Sequence, residues 1–256
     1  MNVLISMKKH FNRLLASAFF FLLIAGCGEK NGTEVIPPAP DEDDKKIEWT
    51  LVFEENFDGS DVDTDEWSMY NGPGHVQNGL RRPEAFSVEN GLLVVTAQMK
   101  DGELVSGGMA HRRNYKYGRF EFRVRAEADP SSATSAVVLT WPQNENWPTD
   151  GELDIYETLT GASRNPFHTF IHYGANNRQL HYVHEADAKE WHTMMCEWLP
   201  DKLTIYRDEM AVYTVKELYA IPQVEHHLCI QLDALKKEMT GVVKMYVDWV
   251  KIYQQL

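Results

Sequence analysis

Residues 151–157 read GELDIYE, a short run that sets three carboxylates into a segment whose Leu and Ile alternate as in a buried strand. Because successive side chains of a strand point to opposite faces, Glu152 and Asp154 share one face and Glu157 points to the other. One extra residue between Asp154 and Glu157, a β-bulge, would return Glu157 to the shared face, and bulges are common beside active sites. The run therefore predicts a bulged strand that gathers all three carboxylates.

Clustered carboxylates can hydrolyse glycosidic bonds, because one of them must stay ionised while another stays protonated. A retaining glycosidase holds such a pair about 5–5.5 Å apart, and an inverting one holds it roughly 6.5–9.5 Å apart. A third carboxylate between the two can orient the nucleophile and raise the pKa of the acid. The alternative is an exposed strand face that carries acids by chance, and the E-x-D-x-x-E spacing by itself is only moderately specific.

Outward from this run, the sequence reads as many short strands without a sustained helical period. Residues 119–125 alternate, with Phe120, Phe122 and Val124 on one face and charged side chains on the other. Many short strands separated by turn residues predict an antiparallel sandwich or barrel, in one domain of roughly 200 residues. The other candidate strands are LLVVTAQ, SAVVLTW, ELDIYET, HTFIHYG, HTMMCEW, KLTIYRD, AVYTV, LCIQLDA and VKMYVDWVKIY.

The residues before the acidic run complete a motif. WPTDGELDIYE, residues 147–157, resembles the W-P-x-x-G-E-[IL]-D-I-x-E signature of glycoside hydrolase family 16, the laminarinase, lichenase and agarase family, in its bulged variant. The segments LVFEENFDG, YKYGRFEFRVR, EWHTMMCEWLPDKLTIYRDE and MYVDWVKIYQ resemble further strands of that family in the same order. The resemblance spans about Leu51 to Gln254. It implies an all-β fold, a jelly-roll β-sandwich of two curved antiparallel sheets with a concave substrate cleft.

The resemblance also implies a role for each acidic side chain. Glu152 matches the nucleophile, Asp154 the assisting acid and Glu157 the acid/base, and no cofactor is required. The expected reaction is hydrolysis of O-glycosyl bonds with retention.

The positions at which this sequence departs from the family pattern concern substrate binding and not the catalytic carboxylates. This chain lacks the Trp-Pro-Ala-Phe-Trp run of laminarinases, so Trp141 and Trp147 remain as candidate sugar platforms, although such residues are as often part of a core. His172 matches a histidine that faces the cleft in similar enzymes, and Asn71 and Arg81 lie where relatives place substrate-contacting groups. The turn at 208–209, Asp-Glu instead of the usual Asp-Gly, is expected to be built differently.

Some relatives bind a structural calcium, which the resemblance places at Asp248 and near Asn56, so a calcium site at Asp248 stays open at this point. Cys196 and Cys229 lie in apolar, strand-like segments, where small buried thiols are common, and whether they pair is left open. The spacing of cysteine and histidine matches no zinc motif.

The N-terminus has the layout of a signal peptide, since basic residues precede an uncharged apolar run that ends near Ala25. About a dozen apolar residues are too few to span a bilayer core of about 30 Å. The run ends in a sequence that resembles a bacterial lipobox, so residues 1–26 are predicted to be a lipoprotein signal peptide and Cys27 the acylated residue. The alternative is ordinary cleavage that leaves Cys27 as an unmodified thiol.

Residues 27–48 are rich in Pro and acid and poor in large apolar groups, so they are expected to form a flexible tether before a catalytic domain at 49–256. The protein is then expected in the bacterial cell envelope, lipid-anchored at the outer membrane or cell surface, and monomeric. Loss of the three cations of the signal peptide changes the formal net charge from −13 to −16. Such a charge argues against a nucleic-acid partner and favours a neutral polymer.

The function expected from these observations is endo-acting hydrolysis of a β-linked polysaccharide, with a laminarin-like β-1,3-glucan as the first choice. An algal galactan of the agar or carrageenan type is the alternative substrate. A surface lectin that binds glycan without cutting it is the alternative of another class, since the same fold serves both. Three clustered carboxylates argue against the lectin, because a binding site gains little from charges that it must keep desolvated.

Overall fold

The computed structural model describes residues 47–255, and these form seventeen β-strands with three short 3-10 helices. The predicted signal peptide, Cys27 and nearly all of the tether lie outside the described residues. The strands are β1 (Thr50–Glu55), β2 (Trp67–Met69), β3 (Gly72–Pro73), β4 (Leu80–Arg81), β5 (Phe86–Val88), β6 (Leu93–Lys100), β7 (Glu103–His111), β8 (Gly118–Ala126), β9 (Thr134–Pro142), β10 (Glu152–Glu157), β11 (Phe167–Tyr173), β12 (Arg178–His184), β13 (His192–Trp198), β14 (Leu203–Arg207), β15 (Met210–Val215), β16 (His226–Ala234) and β17 (Val242–Gln254). The 3-10 helices are His75–Gln77, Pro83–Ala85 and Leu218–Ala220.

The strands form two layers, which we call the cleft sheet and the outer sheet. The cleft sheet has the order β12-β11-β10-β9-β16-β7-β2, and all its neighbours are antiparallel. The outer sheet has the order β15-β14-β13-β8-β17, and β1 and β6 pair with the far edge of β17. This antiparallel sandwich confirms the predicted fold class.

The core lies between the two sheets, and the alternation of β8 shows how the sequence builds it. Phe120, Phe122 and Val124 are fully buried, whereas the charged residues between them are partly exposed. On β10, Leu153 and Ile155 point into the same core. Full burial of each such side chain stabilises the fold by about 1.5–3 kcal/mol. The alternation therefore leaves the polar residues of β10 on the opposite face of their sheet.

Strand β7 belongs to both sheets. Glu103 to Val105 pair with the end of β6, and Gly107 to Ala110 pair with β16. Two glycines in the middle of β7 allow other side chains to approach closely. A Cβ atom on Gly108 would lie 2.6 Å from the ring of Tyr70, so only glycine leaves room for that ring on the cleft face.

The nine candidate strands and the 119–125 strand are confirmed, but the long strands β7 and β12 and the short strands β2 to β5 were not predicted. The β14–β15 turn has a two-residue loop, and both Asp208 and Glu209 adopt positive φ angles of 50° and 68°. The turn is thus made with two non-glycine residues in the left-handed region. None of the helices among residues 47–255 is long and apolar enough to cross a membrane.

Candidate active site

A cleft of about 1120 Å³ lies over the cleft sheet and contains Glu152, Asp154 and Glu157. Its lining extends from Gln179 on β12 to Tyr70 just after β2. It therefore crosses seven strands, or about 29 Å at about 4.8 Å per strand spacing. A chain molecule can lie across the strands with the carboxylates beneath it.

The predicted bulge is present in β10 and brings the third carboxylate into the cleft. Asp154 pairs with Phe170 and Glu157 with His168 of β11, so three steps on β10 face two steps on β11. The two residues between them, Ile155 and Tyr156, both point into the core and are fully buried. The hydroxyl of Thr169 donates a 2.9 Å hydrogen bond to the Ile155 carbonyl, which satisfies a backbone group that the bulge removes from the regular ladder.

Backbone conformation just before β10 helps to place Glu152. Gly151 has a φ of +87°, which a residue with a side chain rarely adopts. A Cβ atom there would lie 3.0 Å from Pro222 and 3.1 Å from the carbonyl oxygen of His172. The glycine of the motif is therefore a requirement of close packing at the entry to the strand.

Trp147 binds the carboxylate of Glu152. Its indole N–H donates a 2.7 Å hydrogen bond to Glu152 Oε2, and its ring stacks on Trp141 at 5.9 Å with an interplanar angle of 13°. The indole N–H of Trp141 donates to Glu145 Oε2 at 2.8 Å. Both predicted platforms line the cleft, and Trp147 also fixes one oxygen of the carboxylate expected to attack.

Asp154 is held from the neighbouring strand. His172 Nε2 lies 3.1 Å from Asp154 Oδ2, and His172 Nδ1 lies 2.7 Å from Asn177 Oδ1. These contacts hold the imidazole beside Glu152, its register partner on the neighbouring strand. The predicted site residue His172 thus lines the cleft and contacts the middle carboxylate.

Burial and crowding favour the protonated forms of the three acids. Burial, followed by the charge of Asp233, raises the pKa of Glu157 to about 7. Burial, followed by the charge of Glu157, raises the pKa of Asp154 well above its usual range. Burial and then Asp154 also raise the pKa of Glu152, while His172 and the N–H of Trp147 oppose that rise.

The role of nucleophile predicted for Glu152 requires an ionised carboxylate, although burial raises the pKa of this group. Glu152 and Asp154 are adjacent on one face, and one proton on Asp154 leaves Glu152 free as a carboxylate that Trp147 stabilises. Because the pair titrates as a unit, the shared proton and not either single group sets the charge state. Glu157, whose pKa lies near neutrality, is the group suited to donate a proton.

Arg81 lines the cleft, but its guanidinium is already paired. It contacts Asp233 Oδ1 through Nη2 at 2.5 Å and through Nε at 3.2 Å, and Nη2 also donates to Gln231 Oε1 at 2.5 Å. Asn71 is exposed and does not line the cleft, contrary to expectation. Its neighbour Tyr70 lines the cleft instead, in the short connection between β2 and β3.

Several cleft residues were not predicted, among them Gln231 and Asp233 on β16. A signal for these two exists in the sequence, since LCIQLDA places polar side chains at an i, i+2 spacing inside an apolar strand. That is the same pattern as Glu152 and Asp154. The other unpredicted lining residues include Tyr70, Phe170, Asn177, Gln179 and His227.

Outside the cleft, the structure shows the surroundings of Asp248, the candidate calcium ligand, and of the two cysteines. Asp248 accepts a 2.5 Å hydrogen bond from the guanidinium of Arg123, and Glu55 accepts one from the Phe57 N–H at 2.8 Å. One oxygen of the Asp248 carboxylate is thus bound by a guanidinium, and a calcium site at this residue stays an open expectation from the resemblance. Cys196 and Cys229 are both buried free thiols.

Comparison with known proteins gives one family. The family model described as glycosyl hydrolases family 16 matches residues 74–251. A β-glucanase from Rhodothermus marinus is 27% identical over 235 residues, which cover 82% of this chain and 77% of that protein. A β-glucanase from Acetivibrio thermocellus is 27% identical over 161 residues, and the match covers 62% of this chain but 46% of that longer protein. This chain thus spans about half the length of that relative.

Solved structures show the same fold. The catalytic domain of an endo-1,3-beta-glucanase (laminarinase) from Thermotoga petrophila aligns with a TM-score of 0.70 and 19% identity, covering 82% of this chain and 99% of that one. An endo-beta-1,3-glucanase from Pyrococcus furiosus aligns with a TM-score of 0.72 and 17% identity, covering 83% and 97%. These likenesses confirm the predicted jelly-roll sandwich.

Proposed function

Since the chain belongs to glycosyl hydrolases family 16, we propose that it is an endo-acting glycosidase that cleaves a β-linked glucan with retention of configuration. The observation that carries the proposal is the bulge in β10, which puts Glu157 on the same face as Glu152 and Asp154. Without it, strand parity would bury Glu157 in the core, and the cleft would lack a second glutamate.

In the proposed reaction, a carboxylate oxygen of Glu152 attacks the anomeric carbon while Glu157 delivers its proton to the leaving oxygen. The glycosidic bond breaks and a glycosyl ester forms on Glu152. Glu157, now ionised, takes a proton from water, and the resulting hydroxide displaces Glu152 from the anomeric carbon. Two inversions at that carbon restore the β configuration in the product.

The neighbours of the two glutamates have supporting roles in this proposal. Trp147 holds Glu152 Oε2, which leaves the other oxygen of that carboxylate free to attack. Asp154, fixed by His172, carries the proton that Glu152 must give up before the reaction. Neither residue forms a bond to the sugar in the mechanism.

A neutral glucan is the proposed substrate, with laminarin-like β-1,3-glucan as the first choice. The printed names of the relatives, β-glucanase and endo-1,3-beta-glucanase, support glucan as the class. Two arginines of this region support a neutral polymer, because carboxylates of the protein offset their charges. Arg81 binds Asp233 and Arg113 binds Glu66, whereas Arg82 and Arg112 donate to backbone carbonyls and keep their charge. A sulfated galactan would therefore meet few free cations.

The first experiment asks whether the protein cuts glycans and which ones. The purified protein is incubated with laminarin, mixed-linkage β-glucan, agarose and carrageenan, and new reducing ends are measured. We expect laminarin or mixed-linkage glucan to be cut fastest. Binding without any new reducing ends would favour the lectin alternative, and preferential cleavage of carrageenan would contradict the neutral-substrate proposal.

The second experiment tests the mechanism. Proton NMR of the first reducing ends should show the β-anomer before mutarotation, and an α-anomer at the start would rule out the retaining pair. Glu152→Ala should lose turnover and recover it with azide, which gives an α-glycosyl azide because a small anion fills the vacated space. Glu157→Ala should still act on activated aryl glycosides, whose leaving groups need no proton, and azide should then give the β-azide.

We also propose that Cys27 carries a lipid that anchors the protein in the cell envelope, a proposal that rests on the sequence of residues 14–27 alone. The full-length protein should partition with membranes into detergent. Cys27→Ser should release it or stop its maturation. Soluble, unacylated wild-type protein would contradict the anchor.

A further inference from the structure

An ion pair lies across the cleft floor from Glu157 and has no part in the reaction described above. Asp233 of β16 and Arg81 of β4 are both largely buried, with side chains 11% and 19% exposed. Arg81 contacts one oxygen of Asp233 through two nitrogens and also holds Gln231 Oε1. The pair is thus fixed in place and faces the cleft.

Strand register places this pair next to Glu157 with a single strand between them. On β9, Val137 is the partner of both Glu157 on β10 and Gln231 on β16, while Ser135 is the partner of Asp233. The hydroxyl of Ser135 lies 3.4 Å from Glu157 Oε1. Asp233 and the acid/base glutamate thus lie on the same face of the sheet, with strand β9 between them. They are offset by two residues along the strands.

The surroundings of Glu157 contain more negative than positive charge. Apart from burial, the charge of Asp233 contributes most to the raised pKa of Glu157, and His172 acts in the opposite direction. Like charges disfavour ionisation, so an unpaired Asp233 would raise the proton affinity of Glu157 further. The titratable and charged groups on this face around Glu157 are Glu152 and Asp154 on β10, His168 and His172 on β11, Asp233 on β16, and Arg81 on β4.

We propose that Asp233 and Arg81 act as a matched pair that sets the pH at which Glu157 loses its proton, and with it the alkaline limit of catalysis. The proposal deepens the proposed function and rests on it for the role of Glu157. Asp233 is a positioning residue in this scheme, because it acts on the sugar only through the charge state of Glu157. Arg81 moderates it by cancelling part of its charge.

Substitutions at the two members of the pair are expected to shift the pKa of Glu157 in opposite directions. In Asp233→Asn, the guanidinium of Arg81 is left without its counter-charge, so the Glu157 carboxylate is stabilised and its pKa falls. In Arg81→Gln, the charge of Asp233 is no longer offset, so the pKa of Glu157 rises. At an effective dielectric constant of about 20, a unit charge two strand spacings away, about 10 Å, corresponds to a shift of about one pH unit. A merely structural role would lower activity in both variants without shifting the profile in opposite directions.

The test is the pH profile of kcat/KM on laminarin for the wild type, the two single variants and the double variant. General-acid activity is lost as the pH rises through the pKa of Glu157. The alkaline limb should therefore move down by about one pH unit in Asp233→Asn, up in Arg81→Gln, and lie near the wild type in the double variant. Equal limbs in all four proteins, or limbs that move in the same direction, would overturn the proposal.

The outer sheet offers a matched control. Arg119 binds Glu197 Oε2 through Nε and Nη2 at 2.8 and 2.7 Å, in the same two-nitrogen arrangement but away from the cleft. Arg119→Gln and Glu197→Gln should leave the alkaline limb in place. A shift there as large as that at Arg81 would assign the effect to net charge and refute a local pair.

Carbon-13 NMR titration of the Glu157 carboxyl in the substrate-free protein separates the two proposals. Its pKa should shift down in Asp233→Asn and up in Arg81→Gln whether or not the protein cuts laminarin. If laminarin is not cleaved but these shifts occur, the proposed function fails and the ion-pair inference stands. If cleavage occurs and the carboxyl titrates identically in all variants, the inference fails alone.

Discussion

At the scale of single residues, the cleft concentrates groups that an ordinary strand would not tolerate. Glu152 and Asp154 are at most 9% exposed, and burial raises the pKa of both and of Glu157. Strand parity places Glu152 and Asp154 on one face, and the β-bulge inferred from the sequence was needed to predict that Glu157 joins them. Asp233 was not predicted as a cleft residue, because its proximity to Glu157 depends on two strand pairings that join residues far apart in sequence.

The raised pKa of Glu157 has a consequence for stability. A carboxyl whose pKa is higher in the folded than in the unfolded protein stabilises the fold below its unfolded pKa of about 4.5, and that stability is lost as the pH rises through about 7. Above about pH 7 the buried, ionised carboxylate costs folding free energy, and Glu157→Gln removes this cost. We expect the variant to be more stable than the wild type by about 1–3 kcal/mol at pH 8 and nearly equal at pH 4.5.

Urea unfolding at the two pH values measures the difference, and Glu121→Gln on the outer face of β8, away from the cleft, is the control. A Glu157→Gln protein less stable than the wild type at pH 8 would contradict a strained carboxylate at this position. Activity should fall at the same time, since the proton donor is gone.

At the scale of elements, alternation in the sequence predicted the strands that have one apolar face. It missed β12, which pairs only with β11 among the described residues and carries polar or aromatic side chains on both faces. It missed β7 because Ser106, Gly107 and Gly108 interrupt any apolar pattern, although the whole strand is nearly buried. In both cases the pairing partners, and not the local sequence, define the strand.

The β14–β15 turn gives a prediction for one element. Glu209 sits at a φ of 68°, a conformation that costs a residue with a side chain about 1 kcal/mol relative to glycine. Glu209→Gly should therefore stabilise the protein by about 0.5–1 kcal/mol, seen as a higher urea midpoint with an unchanged slope.

The neighbouring position is the internal comparison. Asp208 also has a positive φ, but its carboxylate accepts a 3.0 Å hydrogen bond from the Thr193 N–H and lies 2.8 Å from His192 Nδ1. Asp208→Gly relieves the backbone and loses both contacts, so no gain is expected. Equal gains at both positions would mean that the side chain of Asp208 contributes nothing to the turn.

At the scale of the whole molecule, two sets of buried titratable groups have opposite effects on how the stability of the fold changes with pH. Burial lowers the pKa of His111 to about 4, of His184 to about 3 and of His226 to about 4. Because these pKa values are below the unfolded value of about 6.5, the unfolded chain binds more protons, and stability falls as the pH drops below 6.5. The protons on Asp154 and Glu157 act in the opposite sense, since the folded protein keeps them at pH values where the unfolded chain, with carboxyl pKa values near 4 to 4.5, has already lost them.

The wild type should therefore lose only about 1.4 kcal/mol per pH unit between pH 6.5 and 4.5, because two carboxyl protons offset two of the three histidines. The triple variant Glu152→Gln, Asp154→Asn, Glu157→Gln keeps the histidines and loses the compensation. It should lose up to about 4 kcal/mol per pH unit across that window, since each histidine contributes about 1.4 kcal/mol per unit. Chemical unfolding at half-unit pH steps measures both curves, and parallel curves would show that the two sets do not balance.

The shared strand β7 also determines where the cleft can deform. On the Tyr70 and Arg81 side, hydrogen bonds run without a break from the cleft sheet through β7 into β6 of the outer sheet. On the opposite side, β12 has one hydrogen-bonded neighbour among residues 47–255. The cleft therefore has one wall held by continuous strand pairing and one edge strand, β12, that is paired on one side only. We expect the β11–β12 hairpin to adjust to a bound chain more readily than the wall that carries the Arg81–Asp233 pair, so that this pair keeps its distance from Glu152 and Glu157.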